Sequence, residues 1–176
     1  MLSEAFATAE TRVAACTAEL LAELETAAPA RVVDILRARL ADGEIQEEMG
    51  CDRLWDLIVD AHSAAAAAAA GGIESVLGAM RAHGGATALQ EYGCGVLRSL
   101  AMVDGLEVLI AAAGGIEAVL AAMRAHGGAA GVQKIGCEAL ASLAADDAGR
   151  KQAVAAAGGI EAVVAAMRAH SGVAGV

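Results

Sequence analysis

Gly114-Gly115-Ile116-Glu117-Ala118-Val119-Leu120-Ala121-Ala122-Met123-Arg124-Ala125-His126 decides the fold, because this stretch occurs three times. The other copies begin at Gly71 (GGIESVLGAMRAH) and Gly158 (GGIEAVVAAMRAH), 43 and 44 residues away. A second landmark keeps the same period: a cysteine with leucines three and six residues later, at Cys51/Leu54/Leu57, Cys94/Leu97/Leu100 and Cys137/Leu140/Leu143. Two independent landmarks in one register mark a repeat protein, and a period near 43 predicts stacked units built from helices. Such units supply a surface, so the sequence speaks of that surface more than of what binds it.

Composition agrees. The chain is 57% apolar but only 2% aromatic, which makes a core of Ala, Leu, Val, Ile and Met, and alanine has the best intrinsic helix propensity. A net charge of −10 argues against a nucleic-acid backbone or an anionic membrane surface as partner. Thirteen of the acidic and five of the basic residues fall within residues 1–60, so the acidity is concentrated there. The longest run free of Asp, Glu, Lys and Arg, residues 61–73, is far below the roughly 20 residues of a membrane span. Met1-Leu2-Ser3-Glu4 lacks the basic start of a signal peptide, and the expected location is the cytoplasm, with the nucleus as an alternative. Cys51, Cys94 and Cys137 sit one per unit. Stacked helices lie about 8–10 Å apart, too far for a disulfide, and the three read as small buried apolar residues.

Apolar spacing predicts a leading helix at 3–26 that closes one end, and a helix from Pro29 carrying Val32, Ile35, Leu36 and Leu40. Asp42-Gly43 marks a turn before a helix at 45–59. Thereafter the pattern is a short helix, Gly-Gly, a second helix, a loop and a longer third helix: 62–70, 73–83 and 88–102, then 106–113, 116–126 and 132–144, then 149–157 and 160–170. Glycine pairs at both junctions fit the positive-φ conformations of sharp turns. The division expected is a capping helix (1–28), a partial first unit (29–60), two full units (61–103 and 104–146) and an incomplete one (147–176). The face of Ile160, Val163, Val164 and Met167 would lack cover, implying a longer array or end-to-end stacking on another molecule.

This pattern resembles the armadillo repeat. Gly149-Arg150-Lys151-Gln152-Ala153-Val154-Ala155-Ala156-Ala157-Gly158-Gly159-Ile160 looks like that family's junction between first and second helices. Gly136-Cys137-Glu138-Ala139-Leu140-Ala141-Ser142-Leu143-Ala144 looks like its third helix. The resemblance covers about residues 30–176 and implies an all-α fold, a right-handed α-α superhelix; HEAT-type helix pairs are the alternative. It also implies a groove, lined by third helices, that binds an extended peptide or helix. On those helices Cys94, Leu97, Leu100 and Ala101 should face the core. The opposite stripe carries Glu48, Asp52, Trp55, Asp56 and Val59 in the first unit, Glu91, Gly95, Arg98, Ser99 and Met102 in the second, and Lys134, Glu138, Ala141, Ser142 and Ala145 in the third. The asparagine with which family members clamp peptide backbones is replaced by Asp56, Ser99 and Ser142. The tryptophan ladder of nuclear-import adaptors is replaced by Asp52, Gly95 and Glu138.

Trp55, flanked by Asp52 and Asp56, reads either as an anchor for a basic or apolar ligand side chain or as packing under the N-terminal helix. His83, His126 and His170, beside Arg81, Arg124 and Arg168, read as a basic ladder or metal site, or as cations complementing helix C-termini. Metal ligands must converge within about 2 Å of one ion, which repeat-equivalent residues do not. No phosphate-binding glycine motif or catalytic constellation is present, and neither enzymatic activity nor a cofactor is expected. The expected function is a protein–protein interaction scaffold or adaptor whose partner is a protein or peptide, a basic one suiting the acidic end. The alternatives are a targeting or regulatory module of a larger enzyme, such as a kinase or ubiquitin ligase, or a cytoskeletal or axonemal component.

Overall fold

The computed structural model describes residues 27–39, 44–145 and 147–172, and among these the chain is all-α, with ten helices. They are α1 (Pro29–Arg39), α2 (Glu44–Leu57), α3 (Ala61–Ala69), α4 (Gly72–Ala82), α5 (Thr87–Ala101), α6 (Leu106–Ala112), α7 (Gly115–Ala125), α8 (Ala130–Ala144), α9 (Ala148–Ala156) and α10 (Gly159–Ala169). The leading helix expected at 3–26, the turn at Asp42-Gly43 and Leu40 lie outside the described residues.

The three copies of the opening stretch form α4, α7 and α10, each of 11 residues. Their starts differ from expectation by one residue. The first glycine of each pair takes the left-handed conformation (Gly71 φ 83°, Gly114 φ 84°, Gly158 φ 87°), and the second is already helical. That second glycine has a steric task instead: a Cβ on Gly115 would lie 2.9 Å from the carbonyl oxygen of Ile110. The close approach lets α6 bend into α7 by 69°, and α3 into α4 by 71°. The other glycine pairs, Gly84-Gly85 and Gly127-Gly128, do not use positive φ, and a Cβ on Gly85, Gly127 or Gly128 would meet nothing. Only one of the two junctions therefore needs glycine for its backbone.

Packing places the helices in two rows. α4 touches α1 and α7, and α7 touches α10; α5 touches α2 and α8. The short helices α3, α6 and α9 connect one row to the other. Between the rows lies a continuous core in which Leu54, Leu77, Leu89, Leu97, Leu100, Ile110, Leu120 and Leu143 are fully buried. Each such side chain contributes about 1.5–3 kcal/mol by leaving water. The stripe Cys94, Leu97, Leu100 and Ala101 faces this core as its spacing predicts. Burial pushes the Cys94 thiol up to about 12, so it remains protonated. No single helix among the described residues is long and apolar enough to cross a membrane.

Candidate interaction surface

Polar side chains, chiefly at the helix C-termini, join one copy of the motif to the next. Arg81 Nη2 donates to the Ala113 carbonyl (2.9 Å), Arg124 Nη2 to the Ala157 carbonyl (2.7 Å), and Arg37 Nη2 to the Ala70 carbonyl. Each arginine thus caps the C-terminus of the following short helix, where carbonyls lack intrahelical donors. The sequence reading assigned these cations to the end of their own helix; they serve the next one. The histidines reach the other way. His126 Nε2 donates to the Gly84 carbonyl (2.9 Å) while Nδ1 accepts from the Thr87 hydroxyl (3.1 Å), and His170 Nε2 donates to the Gly127 carbonyl (2.9 Å). These rings are held as links between copies, and among the described residues no three His, Cys, Asp or Glu side chains are grouped to hold a metal ion.

The row α2–α5–α8 carries the residues singled out from the third-helix pattern. Trp55 is half-buried, with its indole against α5: a Cβ on Gly95 would come within 2.5 Å of the ring. Gly95 stands on the groove stripe and is nonetheless buried, because Trp55 covers it. Tyr92, on the same face of α5, meets the indole at a centroid distance of 6.2 Å and an interplanar angle of 56°, within the range of favourable aromatic pairs. Tyr92 was not singled out from the sequence. As the one tyrosine, three residues before Gly95 on a helix, it shares the stripe, and that spacing was the signal available.

Carboxylates gather around this aromatic pair. The charge of Asp52, followed by desolvation and then Glu48, Glu91 and Asp56, raises the Tyr92 hydroxyl above its ordinary value. The Asp52 carboxyl is itself raised, first by burial and then by Asp56, with Arg53 opposing. Excess negative charge beside an aromatic face is an environment that attracts a cation. Farther along the row the charges are of both signs. Arg98 Nε lies 3.1 Å from Glu138 Oε2, an ion pair at partly exposed positions worth about 0–1 kcal/mol. Lys134 is exposed, and Ser99 and Ser142 are half-buried. The predicted residues therefore form two regions: an acidic aromatic one at α2–α5 and one of mixed charge at α5–α8, where the Glu91 carboxylate also lies against Gly131.

Ser99 lines a hollow of about 250 Å³ with Ile58, Val59, Asp60 and Met102. Ser142 lines its counterpart, about 280 Å³, with Met102, Asp104, Glu107 and Arg150. In the latter, Arg150 donates to the Leu143 and Ala145 carbonyls (2.8 and 2.9 Å), capping α8, and lies 3.5 Å from Glu107 Oε1. These contacts are what the Gly149-Arg150 junction contributes. Family models, curated proteins and solved structures yield no match to this chain, so its assignment rests on the residues and contacts above.

Proposed function

We propose that the chain is an interaction scaffold of armadillo type, its helices wound as a right-handed superhelix of units 61–103 and 104–146 flanked by partial ones. In this reading the row α2–α5–α8 is a groove that receives an extended basic segment of a partner protein. The near-equal bends of 71° and 69° and the recurrence of the arginine and histidine links support a regular superhelix. The observation that carries the functional reading is the Trp55–Tyr92 pair set in the negative field of Asp52, Glu48, Glu91 and Asp56, which together raise the Tyr92 hydroxyl above its ordinary value. A Lys or Arg side chain laid on that pair would gain cation–π attraction and charge complementarity together. Nothing in this arrangement requires a cofactor or a reacting group.

Trp55, the one tryptophan, reports the event directly. An eight-residue peptide with arginine at alternate positions should change its emission saturably, and the glutamate analogue should not. The Trp55→Ala/Asp56→Lys chain, checked for unchanged helicity by circular dichroism, should fail to bind the labelled basic peptide. Equal binding by both chains, or by neither, would overturn the groove as placed here.

A further inference from the structure

We infer that the exposed face of α10 is a docking site for one kind of occupant, an amphipathic helix carrying glutamine and, three residues later, glycine. The structure contains two filled versions of this site. α5 lies against α2, α3 and α4, and α8 lies against α5, α6 and α7. The third shelf, formed by α8, α9 and α10, is lined by Cys137, Leu140, Ala144, Val154, Ile160 and Val164, with a volume of about 380 Å³. The equivalent side chains report the difference. Ile73 and Ile116 are each 3% exposed, whereas Ile160 is 62% exposed; Met80 and Met123 are 3% and 2% exposed, whereas Met167 is 55%.

The filled sites specify their occupant by two contacts. Gln90 Nε2 donates to the Met80 and His83 carbonyls (both 3.0 Å), and Gln133 Nε2 donates to those of Met123 and His126 (2.8 and 3.1 Å). Each glutamine thereby caps the last turn of the helix it covers. Three residues later the occupant presents glycine, because the methionine fills that space: a Cβ on Gly93 would lie 2.7 Å from Met80 Cγ, and one on Gly136 2.6 Å from Met123 Cγ. At α10 the same methionine and carbonyls recur as Met167 and His170, and no side chain among the described residues donates to either carbonyl. Arg168 matches Arg81 and Arg124, which cap a following helix, and it has no hydrogen-bonding partner among the described residues. This surface continues an interface already formed twice, so it selects a Gln-x-x-Gly helix over an arbitrary apolar segment.

The test uses the full 176-residue chain and a fluorescent peptide of residues 129–145, the α8 sequence, with Cys137→Ala. A lactam between Lys134 and Glu138, one helical turn apart and away from the buried face, holds it helical. Saturable binding is expected. A Gln133→Ala or Gly136→Leu change in the peptide should weaken it about tenfold or more, and Val164→Asp in the chain should abolish it. Absence of saturable binding, or binding indifferent to Gly136→Leu and Val164→Asp, would overturn the assignment. A dimer of the chain that Val164→Asp dissociates would do so too, by making a second copy the occupant.

Discussion

Gln133 is 3% exposed and its amide donates to two backbone carbonyls at the end of α7. Two carbonyl acceptors fix which end of the amide carries nitrogen. Replacing it by alanine leaves both oxygens facing a cavity without their side-chain donor. A buried acceptor stripped of its partner costs about 1–3 kcal/mol; the His126 oxygen keeps the Ala129 N–H (2.9 Å), so that loss falls on the Met123 oxygen and, with the lost side-chain packing, brings Gln133→Ala to about 2–3 kcal/mol. Gln133→Met separates the two contributions, since it keeps the side-chain length but cannot donate. The measurement is the urea midpoint followed by circular dichroism, with exposed Gln152→Ala as a control expected to stay within about 0.5 kcal/mol of the parent chain. Both Gln133 variants should lose about 2 kcal/mol or more. A Gln133→Met chain as stable as the parent would refute the capping argument and leave packing as the role of this residue.

Gly115→Ala should destabilise the chain by about 1 kcal/mol or more, because its Cβ would press on the Ile110 carbonyl and side chain; Gly128→Ala, in open space, should be neutral or stabilise by about 0.4–1 kcal/mol. Equal effects in thermal unfolding would contradict the asymmetry between the two junctions. Asp52 has a folded-state pKa raised above 3.8, so the fold holds this proton more tightly than the unfolded chain does, and its ionisation costs stability as pH rises from 3.8 through the folded value. Asp52→Asn should therefore raise the urea midpoint at neutral pH and give no gain below pH 3.8; a gain persisting there would exclude ionisation as its origin. Gly95→Ala should displace the indole that lies against it and red-shift Trp55 emission, and an unchanged spectrum would count against that contact.

The helices were legible in the sequence because their signals are local. Apolar spacing and the Gly-Gly breaks set the boundaries of α3 to α10 to within one or two residues, Pro29 marks the start of α1, and the buried stripe of α5 follows from its period. The candidate surface was legible in part. The stripe containing Trp55, Asp52 and Asp56 could be drawn on a helix, but whether its members meet depends on the helix packed alongside. Gly95 stood on the groove stripe and is the seat of the indole; Tyr92 was not singled out and is the partner of that indole.

By itself the sequence determined that its motifs recur, that the described residues form helices, and which face of each helix is apolar, since helix type and face follow from side chains a few positions apart. The tertiary structure alone decided what the recurring Arg, His and Gln residues do. Their partners lie 7 to 43 residues away, and nearly all are backbone carbonyls, which every residue possesses and which leave no mark on sequence. The physical reason is that a helix end exposes unsatisfied carbonyls in all cases, and only the packing of neighbouring helices selects the side chain that satisfies them.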